Sequence, residues 1–221
     1  MTRTYFDQRL GEIQEEMLAL AMQVETALEL SITALSDRDM DLAKQVVEDD
    51  VKINDKRYEI EETCLELIAT QQPLASDLRT IASVLHIAVD LERMGDHAEG
   101  IARVALMMTD EPPLMSYEGI RKMADLTKTM MLSSLEAFKD RDTARARQIA
   151  DDDDEVDALY DKIYRELVVL MTQDPDQIER ATHLTWVAHN LERIADRVTN
   201  ICERIVYLVD GTIKEMNVSK Y

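Results

Sequence analysis

The 221-residue chain has little of what interrupts a helix, with five Gly and four Pro in its whole length. Aromatic residues make up only 5% of it, and a β-rich fold would need Val, Thr and aromatics to dominate. These shortages favour long helices, which the many Ala, Leu, Met, Glu and Arg suit. Positive charge is scarce too: 25 Lys and Arg stand against 45 Asp and Glu, a formal net charge of −20. A phosphate backbone would be repelled, which excludes nucleic acid as a partner and leaves cations and basic protein surfaces. The only cysteines, Cys64 and Cys202, fall at semi-buried helical positions. They read as reduced thiols in a reducing compartment rather than as a disulfide. The opening MTRTYFDQRLGEIQEEM lacks the apolar centre of a signal peptide, and no later run approaches the roughly 18 apolar residues of a membrane span. The sequence therefore reads as cytoplasmic, with no transmembrane segment. Gly-rich phosphate loops, zinc-finger spacings and nucleophile signatures are also missing. What is present, 46% hydrophobic residues, is enough to bury a core.

The organising feature is an internal repeat. SDRDMDLAKQVVEDDVKIN (36–54) lies over KDRDTARARQIADDDDEVD (139–157) without a gap. Asp37, Arg38, Asp39, Ala43, Gln45, Asp49 and Asp50 recur as Asp140, Arg141, Asp142, Ala146, Gln148, Asp152 and Asp153. TQQP (70–73) answers TQDP (172–175), and DLERMGD (90–96) answers NLERIAD (190–196). The chain is two copies of one unit, 1–111 and 112–221. Each copy reads as three helices. The first copy has runs from about Tyr5 to Ser36 and Met40 to Thr70, then a third from the QQP break to TDEPPL, where Pro112 and Pro113 stop it. The second has helices over about 118–140, 143–173 and 176–209, with Gly211 as terminator and a polar tail. Asp39 and Asp142 stand where N-caps belong. The fold class is all-α: six long helices forming two tandem, pseudo-symmetric three-helix bundles.

A buried seam at three-four spacing runs along the last helix through Leu184, Val187, Leu191, Ile194, Val198, Ile201, Ile205 and Leu208. The third helix has Val84, Ile87, Leu91, Met94, Ala98, Ile101 and Ala105 in the matching places. At 100° per residue, Glu92 with Asp96 and Glu192 with Asp196 lie on another side, away from the core. Each is a like-charged i,i+4 pair with no base placed to relieve it, which destabilises a helix. Such pairs are common by chance in so acidic a chain, about nine expected, so one alone means only solvated surface. Recurrence in both copies is the argument. The preceding helix of each copy carries a second pair, Asp50 with Asn54 and Asp153 with Asp157, so four oxygen-bearing side chains could converge per copy. A bound cation turns that repulsion into attraction. All-oxygen donors suit magnesium, calcium, manganese or iron, and zinc only outside a thiolate site. His189, three before Glu192, reads as a hydrogen-bonding residue or an added ligand. No His has Glu three residues before it, which disfavours the ferritin-like di-iron arrangement. The apolar start of the third helix's stripe, Ile81, Leu85 and Val89, is a candidate packing surface for another helix or subunit.

QQPLASDLR, DLERMGDHAEGIA and NLERIADRVTNICE, in this order within two three-helix repeats, resemble the PhoU family over nearly the whole chain. The resemblance implies a homodimer with multinuclear metal sites on Glu/Asp-x-x-x-Asp motifs. It also implies restraint of phosphate uptake and of the phosphate-starvation response, through the ATPase of the phosphate importer and a membrane sensor histidine kinase, with peripheral association at the membrane. Carried over position by position, the ligands are Asp50, Asn54, Glu92 and Asp96 in the first copy and Asp153, Asp157, Glu192, Asp196 and Asn200 in the second. Gly100 stands where the second copy has Asn200, which implies one ligand fewer at the first site, or a backbone or water oxygen in its place. The competing readings are a carboxylate-metal hydrolase or oxidase, which would need an open coordination position and a base, and a metal-free helical scaffold.

Overall fold

The computed structural model describes residues 3–108, 112–213 and 215–216. The division between residues 111 and 112 and the end of the polar tail fall at or beyond the edges of these segments. Six α-helices account for almost all of the described chain: α1 (Arg3–Asp37), α2 (Met40–Gln71), α3 (Ser76–Met107), α4 (Glu118–Asp140), α5 (Thr143–Gln173) and α6 (Ile178–Asp210). No strand occurs among the described residues. The start of α6 differs from the expected position 176, because Pro175–Gln177 forms a 3₁₀ turn. Asp174 caps that turn by accepting from the Asp176 N–H at 3.2 Å, so the α-helix proper begins two residues later.

Local chemistry ends the helices in the same way in both copies. Arg38 and Arg141 take the left-handed conformation, at φ 58° and 54°. The amides of Asp39 and Asp142 then reach back to Ala34 O (3.0 Å) and Ala137 O (2.9 Å), closing a Schellman-type turn. The carboxylates of those two Asp residues cap the next helix, each accepting two backbone N–H bonds at 3.0–3.1 Å. Gly211, at φ 72°, terminates α6 with its N–H on Tyr207 O at 2.8 Å.

Helices α1–α3 pack on one another, as do α4–α6, and the two bundles meet chiefly along α3 and α6 with a lighter touch between α1 and α4. The seam expected on α6 is 0–3% exposed along its whole length, and that on α3 is 0–4% exposed. Cys64 and Cys202 are free and fully buried, and burial pushes both thiols up to about 12. Of the apolar stripe at the start of α3, Ile81 is buried, Leu85 half-buried and Val89 exposed. One stretch corrects the expectation about apolar runs. An 18-residue window within α1 is apolar enough, by length and composition, to cross a membrane, and 44% of it is buried in the protein.

Candidate metal centre

The first acidic group gathers at the α2–α3 contact. Asp50 Oδ2 accepts from Asn54 Nδ2 at 2.9 Å, one turn along α2. Across the contact stand Glu92, Asp96 and Glu99 of α3. Burial first, then the charges of Asp96 and Glu99, push the Asp50 carboxyl up to about 6. Glu92 is raised as well, by burial and by Asp96. Asp50 Oδ1 and Glu92 Oε2 are buried without a hydrogen-bond donor, although Arg93 Nε lies 3.5 Å from Glu92 Oε2. The helices approach closely here because of Gly95: a Cβ at that position would stand 3.0 Å from Ile53 Cγ2 and 3.7 Å from Asp50 Oδ1.

The second group repeats this at the α5–α6 contact and is more deeply set. Asp153 is 4% and Glu192 7% exposed. Burial and the neighbouring carboxylates push both up to about 7, Asp157 and Asp196 leading for Asp153 and Asp196 for Glu192. Asp157 is raised by burial and by Asp196. His189 Nδ1 lies 3.5 Å from Glu192 Oε2, and its ring tilts towards that of Tyr160 at 6.3 Å. Two expectations need correction. Glu192 does not lie away from the core: its stripe is roofed by the neighbouring helix, so that with Asp153 of α5 it sits at the margin of the core. Nor are the i,i+4 pairs without a base. Arg93 bridges Glu92 (3.5 Å) and Asp96 (3.0 Å), and Arg193 bridges Glu192 and Asp196 at 3.0 Å each. The intervening Arg is long enough to fold back along its own helix and reach both acids, which residue spacing alone hides.

The chain as a whole has counterparts among known proteins. The sequence model of the PhoU domain matches residues 17–105 and 120–205. A phosphate-specific transport system accessory protein PhoU homolog from Aquifex aeolicus is 39% identical over 92% of this chain and 92% of its own. The chain belongs to the PhoU family. Two solved PhoU structures agree in fold, each with a TM-score of 0.89. That of the phosphate transport system regulatory protein from Streptococcus pneumoniae is 34% identical, covering 96% of this chain and all of its own. That of PhoU from Pseudomonas aeruginosa is 38% identical, covering 94% of this chain and all of its own.

Within this PhoU fold, one carried-over ligand is engaged elsewhere. Asn200 Nδ2 donates to Asp90 Oδ1 of α3 at 3.2 Å, and Arg197 Nη1 reaches the same oxygen at 3.5 Å. The repeat-related contact joins His97 Nδ1 to Asn190 Oδ1 at 2.9 Å. Gly100 lies beneath that Asn190 side chain, with its notional Cβ 3.3 Å from the amide atoms. Positions 100 and 200 therefore take part in the α3–α6 contact, which the exchange of Asn200 for Gly100 reshapes. Asp90, 8% exposed and raised by burial, is the acceptor at its centre.

The structure thus brings together Asp50, Asn54, Glu92 and Asp96 in one group, and Asp153, Asp157, Glu192 and Asp196 in the other. Among the described residues, no three His, Cys, Asp or Glu side chains are already gathered to ligate a single ion. The donor set nevertheless fits a cation in kind: hard carboxylate oxygens, desolvated and mutually repelling, two of them in the first group without a donor. Sequence reasoning missed Glu99, although it lies on the face of Glu92, two helical turns on. It faces Asp50 and is itself held by Arg103 at 2.7 Å.

Proposed function

We propose that this chain is a metal-binding, non-enzymatic regulatory adaptor of phosphate uptake and phosphate-starvation signalling. In this reading it is cytoplasmic, pairs as a homodimer, and acts on the phosphate importer ATPase and a sensor histidine kinase. The carrying observation is the pair of repeat-related carboxylate groups, each placed where two helices of one bundle meet. Relatives bearing the same fold are named as accessory or regulatory proteins of phosphate transport. Asp50, Asn54, Glu92, Asp96 and Glu99 would hold metal in the first bundle, and Asp153, Asp157, Glu192 and Asp196 in the second, with His189 at the edge. The ion supplies positive charge where the protein has buried negative charge, tying α2 to α3 and α5 to α6. Arg93 and Arg193 hold the α3 and α6 carboxylates in line, and Gly95 keeps α2 and α3 close enough to share them. Both thiols are buried and protonated, so neither serves as a nucleophile.

Elemental analysis of the purified protein beside a Glu92→Ala, Glu192→Ala variant tests the metal assignment. Stoichiometric iron, manganese, zinc, magnesium or calcium is expected in the first and its loss in the second. Metal retained by the variant overturns the assignment, and metal absent from both favours the scaffold. Capture of the importer ATPase and the kinase from phosphate-replete cells tests the adaptor, and failure to capture either counts against it.

A further inference from the structure

We propose that the groove between α1 and α2 receives a cationic amphipathic helix of a partner protein. The groove is a 340 Å³ depression, floored by Ala19, Met22, Ala27 and Leu30 of α1 with Val46 and Ile53 of α2, and rimmed by the Asp49–Lys52 ion pair. It lies on the outer side of α1. The inner seam of that helix, Ile13, Met17, Leu20, Val24 and Leu28, is 0–1% exposed and already spent on the bundle. Residues 19, 22, 26 and 30 repeat the three-four spacing on a second face, and Met22 is left 65% exposed. Ala27 and Leu30 at the base of this face already pack against the core, whereas Ala19 and Met22 above them stand exposed, apolar surface that no helix of the bundle covers.

The second repeat is an internal control. The offset of 103 that aligns the two α1–α2 and α4–α5 turns carries back along the helices. Met17, Leu20, Val24, Leu28 and Ser31 fall on Ile120, Met123, Thr127, Met131 and Ser134, and every one of these is buried. The outer face follows only in part: Ala27, Val46 and Ile53 keep apolar counterparts in Met130, Ile149 and Val156, but its outermost residues do not. Ala19, Met22 and Leu30 become Lys122, Asp125 and Ser133, and Lys52 becomes Glu155. Three-helix packing is thus satisfied without apolar residues at the places of Ala19, Met22 and Leu30, and the first repeat carries them for another purpose.

Charge selects the occupant. Helix α1 has seven carboxylates against two arginines, and α2 has nine against four basic residues. A second copy of this chain brings the same sign, and an anionic lipid surface is repelled. A helix with apolar anchors at i, i+3/i+4 and i+7 and Lys or Arg on its flanks matches both the floor and the field. The unbranched Met22 side chain suits such a contact, since it repacks around different anchors. The proposal shares with the adaptor reading only the premise of a protein partner, and Ala19 and Met22, which carry its test, lie on α1, which contributes no residue to either acidic group.

The test uses the full chain and a fluorescein-labelled 18-residue Leu/Lys amphipathic helix, read by anisotropy beside a Leu/Glu analogue and a scrambled Leu/Lys peptide. Saturable binding of the Leu/Lys helix is expected, with at least tenfold weaker binding of both controls. The charge-neutral Ala19→Lys, Met22→Asp variant installs the second repeat's residues and should weaken binding at least tenfold with unchanged helicity and Tm. Hydrogen exchange of the unaltered protein gives a second readout, with peptide-induced protection confined to residues 19–30 and 46–53. Equal binding by the variant, protection elsewhere, or equal binding of the Leu/Glu helix overturns the proposal. So does a self-dimer or adhesion to phosphatidylglycerol vesicles that the double substitution abolishes, because the occupant would then be a second copy or a membrane. Metal content is unchanged in the variant, so failure of the groove and failure of the metal reading are told apart.

Discussion

Replacing Asp50 by Asn should stabilise the metal-free protein at pH 8 and weaken its response to metal. In the folded chain the Asp50 carboxyl is pushed up from 3.8 to about 6, by burial first and then by Asp96 and Glu99. The native state therefore binds this proton more tightly than the unfolded chain does between those values. The contribution favours folding at low pH, declines as pH rises through that window, and reaches its full cost above about pH 6. At 1.36 kcal/mol per pH unit the cost is about 3 kcal/mol as an upper limit, and solvent screening at a half-buried site brings it to about 1–2 kcal/mol. An Asn carries no charge, keeps a carbonyl for the Asn54 amide, and can turn its own NH₂ towards the surrounding carboxylates. Urea unfolding of chelator-treated protein, followed by circular dichroism from pH 4.5 to 8, should show the variant about 1–2 kcal/mol more stable at pH 8. That corresponds to roughly 3–6 °C in Tm for a chain of this size, and the gain should shrink towards the acid end. Added manganese should then raise the Tm of the unaltered protein more than that of the variant, since the lost carboxylate is a ligand. A variant less stable at pH 8, or a difference that ignores pH, would refute the account of Asp50 as a desolvated and repelled carboxylate.

Gly95→Ala should destabilise the protein by about 1–2 kcal/mol in urea melts, despite Ala's better helix propensity, because its Cβ runs into Ile53 at 3.0–3.1 Å. Adding Ile53→Val should recover most of the loss, since the second repeat has Val156 and Ala195 at the corresponding positions, and a double-mutant cycle without coupling would argue otherwise. Asp90→Ala strands Arg197 and Asn200 at the α3–α6 contact and should cost about 2–3 kcal/mol, with Asp90→Asn less damaging; equal loss from both would mean that charge is irrelevant there. Asp142→Ala removes two capping bonds from α5 and should cost about 1 kcal/mol, while Asp142→Asn should stay within a few tenths.

The helices and their stops were readable because the relevant signals are local. Asp39 and Asp142 cap where residue type and position said they would, and the α3 and α6 seams are buried along their length. The start of α6 was misjudged because Pro175 permits a 3₁₀ turn as readily as a first α-turn. At the site, the repeat located both acidic pairs but not their surroundings. Which helix roofs a stripe depends on how three helices are arranged, so the burial of Asp153 and Glu192 was not legible. Arg93 and Arg193 escaped because neighbours in sequence are taken to face apart, and a flexible six-atom side chain evades that rule. The contact of Asn200 with Asp90 was not legible because its stripe passes, within two turns, from the α5 side of α6 to the α3 side.

The contact between α3 and α6 has the form of a two-fold interface: position 90 meets position 200, and position 190 meets position 100. In a dimer of identical halves both meetings would have to be the same, since one gene copy would write both. A single chain that contains both halves is free of that constraint. Here one meeting has become ionic, Asp90 with Arg197 and Asn200, and the other neutral, Asn190 with His97 over Gly100. Two copies of the first half would place Asp90 over Gly100 twice, with His97 in place of Arg197, while two copies of the second would set Asn190 beside Asn200 and leave both arginines without their acid. Unlike halves are therefore the better match, and the α3 and α6 faces fit as a lock and its key rather than as two copies of one surface.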